Sequence, residues 1–308
     1  MISVSNILFY ILRYILFIIP LLISIAYITL IERKLLGYIQ LRKGPNKIGI
    51  YGLLQPISDG IKLFTNEMII PSHSISYLFI IIPILNLTLS LYINSYIIKF
   101  GIINEYSLFI ILFIVMLISF NILVAGWVSN SKYSLLGSLR ACAQIISYEI
   151  SFTLLLFIFI LITNSFNIYS FSTYSSHTGW LIFPFFIPFL LMYISILAEN
   201  NRTPFDLAEA ESELVSGYNV EYSSFSFAFF FLSEYLIIIF FSMFLVIIFL
   251  GNNYFIFKTL TILIISLIIR GTLPRYRYDQ LMMLCWKYIL PVTITFFIIS
   301  LFIIQNIY

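Results

Sequence analysis

An all-α, polytopic membrane bundle is the fold class this sequence predicts, on three observations. Hydrophobic residues make up 61% of the 308-residue chain and charged ones 9%, a balance that ordinary soluble domains do not have. The mean hydropathy is +1.06, and apolar stretches of about 20 residues, the length a helix needs to cross a bilayer, recur along the chain. These stretches are continuous, whereas barrel strands would alternate in segments of about 10 residues. No extensive water-soluble domain fits between them, so residues 1–308 read as a single integral membrane domain.

In chain order the apolar windows fall at residues 7–31, 76–98, 107–128, 145–163, 180–198, 227–250, 256–270 and 288–305, giving about eight transmembrane helices. The first window runs unbroken to Ile31 and meets Glu32, Arg33 and Lys34, without the short apolar core and small-residue cleavage site of a signal peptide, so it is kept as a span. Eight spans put both termini on one side and the connections after spans one, three, five and seven on the other. Those four connections carry 6, 2, 1 and 4 Lys and Arg, 13 of 16, which leaves Arg13, Lys99 and Lys258 opposite. Basic residues gather on the cytoplasmic or matrix side of membranes. Twelve of the thirteen acids lie on or near that side, Glu105 being the exception. This is the expected working face.

The first connection, residues 32–75, is too long for a turn. In it Leu53, Ile57, Ile61, Phe64 and Met68 recur at helical spacing, with Ser58, Asp59, Lys62 and Asn66 between them, which predicts an amphipathic helix at the membrane surface. The connection at residues 199–226 is acidic. Between Leu197 and Tyr222 lie Glu199, Asp206, Glu209, Glu211, Glu213 and Glu221, six of the thirteen carboxylates. Thr203 followed by Pro204 and by Asp206 reads as a helix start, and Asp206, Glu209 and Glu213 then share one face. A charge run is ordinarily a solvated loop. Here Phe205, Leu207, Leu214, Val215, Tyr218, Val220 and Tyr222 interrupt it, which predicts a loop packed into protein, where acids need compensation.

Several function classes are excluded. The net charge of +3 is small and the basic residues are scattered, so nucleic acid is not a partner. Cys142 and Cys285 are isolated, as are His73 and His177, which argues against a disulfide framework, a zinc site or an iron–sulfur cluster and predicts no metal. The two halves carry no matching Gly- or Pro-broken spans of the kind duplicated transporters have, which counts against an ion-coupled secondary transporter, the alternative reading.

Glu149 falls a few residues inside the fourth window, where a full charge would cost several kcal/mol unless it faces protein, water or a partner. A structural pair with Arg140 is the plain reading; a proton-handling group is the functional one. Glu199 ends the fifth window and Glu234 lies inside the sixth, so both can face the bundle interior together with Glu149. Carboxylates sharing one cavity titrate as a coupled group.

Four stretches carry a resemblance: LIERKLLGYIQLRKGPNK (Leu30–Lys47), SLRACAQIISYEIS (Ser138–Ser151), the acidic stretch Leu197–Tyr222, and LPRYRYDQLMMLCWKYILP (Leu273–Pro291). Together, and in this order from first span to last, they look like the chain 1 family of NADH-ubiquinone oxidoreductase, the quinone-site membrane subunits of respiratory complex I. The resemblance implies a helical subunit of the mitochondrial inner membrane whose matrix-side connections form part of the tunnel admitting ubiquinone. It further implies that NADH, flavin and iron–sulfur clusters are bound by partner subunits, and that the partners are the hydrophilic quinone module, the membrane arm and phospholipids. Glu149, Glu199, Glu209, Glu211, Glu213, Glu221 and Glu234 are then the expected proton path. Arg33, Asp59 and Lys62 are expected near the quinone headgroup, and Phe231 and Tyr235 beside its tail. Lys34 and Lys43 read as membrane anchors, and Arg275, Arg277 and Asp279 as contacts to partner protein or phospholipid.

Overall fold

The computed structural model describes residues 4–97, 105–206 and 217–307, which are helices joined by turns. Helix α1 (Val4–Ile39) has 36 residues; at 1.5 Å per residue it is about 54 Å long, well beyond the roughly 30 Å of bilayer hydrocarbon. Its last turns therefore carry Glu32, Arg33 and Lys34 out of the apolar layer. After a single 3-10 turn at Ile50–Gly52, helix α2 (Gln55–Thr65) begins with Pro56 in its first turn, where a missing N–H costs nothing. This is the amphipathic helix expected between 53 and 68, shortened to 11 residues. None of its residues is buried, and Ile57, Ile61 and Phe64 are more than half exposed.

Helices α3 (Ser76–Ile97), α4 (Ser107–Val128) and α5 (Lys132–Thr163) follow, then a short α6 (Ile168–Thr178) and α7 (Phe186–Glu199). Helix α8 (Ser224–Leu245) continues as a π-helical turn through Leu250, and α9 (Phe255–Thr272) follows. The chain ends on a rod formed by α10 (Tyr278–Met283), a π-helical segment at Leu284–Ile289, and α11 (Leu290–Ile307). Helices α8 and α5 are the most buried spans. Helix α8 packs chiefly on α3 and also touches α1, α2 and α9, while α5 packs on α4, α7 and α11. The apolar surface of α11 is largely open.

The ends of the spans sort as the eight-window reading expects. At one end Ile75 N donates to Val128 O (3.2 Å), Asn130 Nδ2 to His73 O (3.1 Å), Ser224 Oγ to Asn66 O (2.7 Å) and Arg275 to Asp206 (2.8 Å). These bonds join the first, third, fifth and seventh connections. At the other end Leu108 N donates to Phe166 O (3.2 Å), Leu181 N to Phe249 O (2.9 Å) and Lys258 Nζ to Leu250 O (2.6 Å).

Three boundaries depart from the sequence reading. Helix α5 starts at Lys132, capped by Ser131, whose side chain accepts from Ser134 N; the expected span began at 145, because Lys132, Arg140 and Gln144 dilute the hydropathy of helical turns that continue past the membrane edge. The window at 180–198 becomes α7 alone, since residues 181–185 form turns. With 14 residues it is about 21 Å long, shorter than a membrane crossing. Among the described residues seven helices are long and apolar enough to span, and α7 is a shorter apolar helix beside them. The helix start expected at Thr203 is also absent: residues 203–206 are turns and bends, with Phe205 N bonded to Arg202 O (2.8 Å).

Gly126 sets how closely α4 and α5 approach. A Cβ there would lie 2.1 Å from Ser138 Oγ and 2.7 Å from Ser134 O. Gly126→Ala is expected to destabilise the bundle by about 1–3 kcal/mol, read as a lower thermal inactivation temperature of the detergent-solubilised protein. Gly60→Ala, where nothing lies within 4 Å, is the control that should not move it downward.

Candidate functional site

A cavity of about 430 Å³ opens between α1, α2 and α8. Helix α1 contributes Ile25, Ala26, Thr29 and Arg33; α2 contributes Pro56, Asp59, Lys62, Leu63 and Phe64; α8 contributes Phe227, Ala228, Phe231 and Leu232. The lining is mostly apolar with a few polar groups, the usual composition of a site for an amphiphilic small molecule. Arg33 binds Asp59 (2.6 Å), and Gln55 Nε2 holds the other carboxylate oxygen (2.9 Å). Both partners of that ion pair are well exposed, so it orients Arg33 more than it stabilises the fold.

From this cavity a chain of polar side chains leads into the bundle. The rings of Phe231 and Tyr235 lie 4.8 Å apart, and Tyr235 Oη donates to Glu32 Oε2 (2.5 Å). Glu32 is buried and is also paired with Arg270 from the end of α9. The Arg202 guanidinium stands 4.6 Å over the Tyr235 ring and reaches Glu234 Oε2 (3.3 Å). Tyr218 Oη donates to Glu234 Oε1 (2.7 Å). Each link desolvates a charge and supplies its partner, which buried ions require.

Glu234 and Glu199 then line a second, smaller pocket of about 40 Å³ with Asn86, Ser119, Asn200 and Asn201. Both oxygens of Glu199, and Oε1 of Glu149, are buried without a hydrogen-bond partner. Glu149 lies within electrostatic reach of Glu199, on the adjacent helix α5, and no described ion pair joins it to Arg140, whose guanidinium faces the Tyr278 ring. The described ends of the acidic connection are packed into protein: Phe205, Tyr218 and Tyr222 are buried, with Tyr222 stacked on Phe79 at 4.2 Å and bonded to Ala125 O. Burial pushes the Tyr222 phenol above its ordinary value, so it stays a donor.

The residues expected from sequence divide as follows. Arg33, Asp59, Lys62 and Phe231 meet in the larger cavity, and Glu199 and Glu234 in the smaller one with Glu149 beside it. Tyr235 does not line the cavity; it lies behind Phe231, engaged with Glu32. Glu221 is half-buried, and no described hydrogen bond or ion pair joins it to the other carboxylates. Glu209, Glu211 and Glu213 lie outside the described residues, as do Leu207, Leu214 and Val215. Arg275 is not free for a partner: it holds Asp206, whereas Arg277 and Asp279 form an exposed pair (3.1 Å). Lys34 donates to Tyr51 O (2.5 Å). Sequence reasoning missed Arg202, Arg270 and the bridging role of Glu32. One signal was present: Arg202 is the lone base in the acidic connection, and Glu32 and Arg270 both sit where an apolar window ends.

A family model described as NADH dehydrogenase matches residues 12–301. The chain is similar to NADH-ubiquinone oxidoreductase chain 1 of Anopheles gambiae, with 50% identity over 292 residues, covering 91% of each chain. It is similar to the protein of that name in Mammuthus primigenius at 47% identity, covering 89% of this chain and 90% of the relative. The protein of the same name in Metridium senile is 45% identical over 306 residues, covering 94% of this chain and 91% of the relative.

Proposed function

We propose, on the premise that the chain belongs to the NADH dehydrogenase family, that its larger cavity takes ubiquinone and its buried carboxylates pass protons in response. The chain is a multi-pass membrane subunit of NADH-ubiquinone oxidoreductase, complex I; the transporter alternative has no support from the family match. Ubiquinone, when bound, supplies the two-electron, two-proton acceptor. Arg33 and Lys62, with Asp59 orienting Arg33, hold the polar headgroup, while Phe231 and its apolar neighbours exclude water around the tail.

The observation that carries this reading is the run of contacts from the cavity-lining Phe231 through Tyr235 and Arg202 to Glu234, which shares the small pocket with Glu199. Glu32, fixed by Tyr235 and Arg270, is the buried carboxylate next to Arg33 in the chain and feels a change of charge there. Arg202 sits between Glu32's partner Tyr235 and Glu234, so a shift of its guanidinium alters the charge balance at Glu234 and then at Glu199. Protons redistribute among Glu199, Glu149 and Glu234, a coupled group, with Glu209, Glu211, Glu213 and Glu221 of the acidic connection as the entry side. The end bearing most of the basic residues faces the mitochondrial matrix, which puts residues 32–75 and 199–226 on that side of the inner membrane. There they contact the hydrophilic quinone module, whose flavin and iron–sulfur clusters carry electrons from NADH. The membrane arm and phospholipids cover the open apolar faces.

Phe231→Trp tests the cavity assignment. In the assembled complex it is expected to raise the KM for a short-chain ubiquinone about 5- to 10-fold, about 1 kcal/mol of binding. NADH oxidation with a water-soluble artificial acceptor should stay unchanged. An unaltered KM would assign the quinone elsewhere.

A further inference from the structure

The small pocket beside Glu199 has an uneven chemistry. Glu199 Oε1 and Oε2, Asn86 Oδ1, Asn200 Oδ1 and Asn201 Oδ1 are all buried and without partners, and all four residues line it. Every one of these atoms is an acceptor. The orientation of Asn86 is fixed by its neighbours: the Ser233 hydroxyl gives its proton to Phe230 O (2.6 Å), so only the Asn86 NH₂ can face it (2.8 Å), which leaves the amide oxygen toward the pocket. Ser119, the hydroxyl in the lining, donates to Met116 O. The buried donors that lack partners, Asn121 Nδ2 and Tyr193 Oη, are not in the lining.

A neutral water donates two protons, so it can serve only two of these five oxygens. The rest of the lining is mostly apolar, Ile93, Val115, Ile118 and Phe241 among it, so this set of unpartnered oxygens is better satisfied by a cation. The helix end adds to this: Asn200 is the C-cap of α7, so the negative end of the α7 dipole points into the same space. Ends of interrupted helices coordinate sodium in membrane transporters in this way. Among the described residues that line the pocket, one carboxylate is left without an ion pair. Glu234 has both oxygens engaged by Arg202 and Tyr218, and Asp206 is held by Arg275. Glu199 has neither, and Glu149 adds negative potential nearby.

We propose that this pocket binds a single sodium ion through the Glu199 carboxylate and the amide oxygens of Asn86, Asn200 and Asn201. A monovalent ion fits because one uncompensated carboxylate and neutral amides form the donor set. Divalent calcium takes six to eight oxygens, typically several from carboxylates, and among the described residues no group of three His, Cys, Asp or Glu is positioned to hold a metal. The roughly 40 Å³ available admits an ion and a water or so. The consequence rests on the proton-path reading of Glu199: sodium and a proton compete for the same carboxylate, so sodium occupancy holds that step closed.

The test is equilibrium binding of radioactive sodium to the assembled, detergent-purified complex, at constant ionic strength with choline as the replacement cation. Wild type is expected to bind one sodium ion per complex more than Asn86→Leu and Glu199→Gln. Asn86→Asp, which keeps an oxygen in place and adds charge, is expected to bind it at least tenfold tighter and serves if Asn86→Leu fails to assemble. Equal occupancy in wild type and all variants overturns the site. Proton uptake in sodium-free choline medium reads the proton path by itself, so either assignment can fail without the other.

Discussion

Glu199→Gln, in a complex that still assembles, is expected to lower ubiquinone-linked NADH oxidation and proton uptake together by roughly 10²-fold, the low end of what a positioned proton carrier contributes. Glutamine keeps the shape of the side chain and its place at the end of α7, and it removes the charge and with it the ability to bind and release a proton. Glu199 is buried with both oxygens lacking hydrogen-bond partners, so neither a neighbouring ion pair nor a structural bond is lost. NADH oxidation by a water-soluble artificial acceptor, which bypasses the membrane subunit, should be unaffected. Loss of proton uptake with quinone reduction preserved would place the residue in coupling alone. Preservation of both would remove Glu199 from the proton path.

The second large effect is structural. Arg270→Leu strips Glu32 of its cationic partner while Glu32 remains buried and bonded only to Tyr235. Breaking a buried pair from one side costs about 3–5 kcal/mol, and because Arg270 is a quarter exposed the lower end applies, about 3 kcal/mol. The expected readout is a steep fall in assembled complex and in its thermal inactivation temperature. Adding Glu32→Leu should recover most of the loss, since an apolar pair of similar volume no longer strands a charge. That double variant should still be inactive with ubiquinone, because the link from cavity to Glu234 is gone. Recovery of stability without activity would separate the two roles of Glu32. If the single variant is as stable as wild type, the pair is not holding α1 to α9.

The spans were legible because hydrocarbon thickness dictates a run length, and runs of Ile, Leu and Phe meet it whatever their neighbours are. Their ends were not. At Lys132–Gln144 a helix continues through polar residues because the neighbouring connections pack around it, which hydropathy cannot register. At Trp180–Phe185 the residues are apolar yet turn, since Gly179 adopts a positive φ and Pro184 lacks an N–H. At Thr203–Pro204–Asp206 the chain turns instead, and the Asp206 carboxylate is held by Arg275, 69 positions away. The site behaves similarly. That Glu149, Glu199 and Glu234 come near one another inside the bundle was readable from where the few carboxylates of a hydrocarbon-rich chain fall against its apolar windows. Their partners were not, because Tyr235 meets Glu32 across 203 positions and Arg202 meets Glu234 across 32. Such pairings exist only once the helices have packed.

The shortness of α7 bears on the lipid beside it. Its 14 residues fall roughly 9 Å short of an average hydrocarbon thickness, and Phe186, Ile187 and Leu190 are exposed along its side. Wherever acyl chains meet that edge they have to compress or splay to cover the deficit, at a fraction of a kcal/mol for each ångström. Glu199 ends this short helix, so a bilayer of different thickness is expected to bear on where that carboxylate sits.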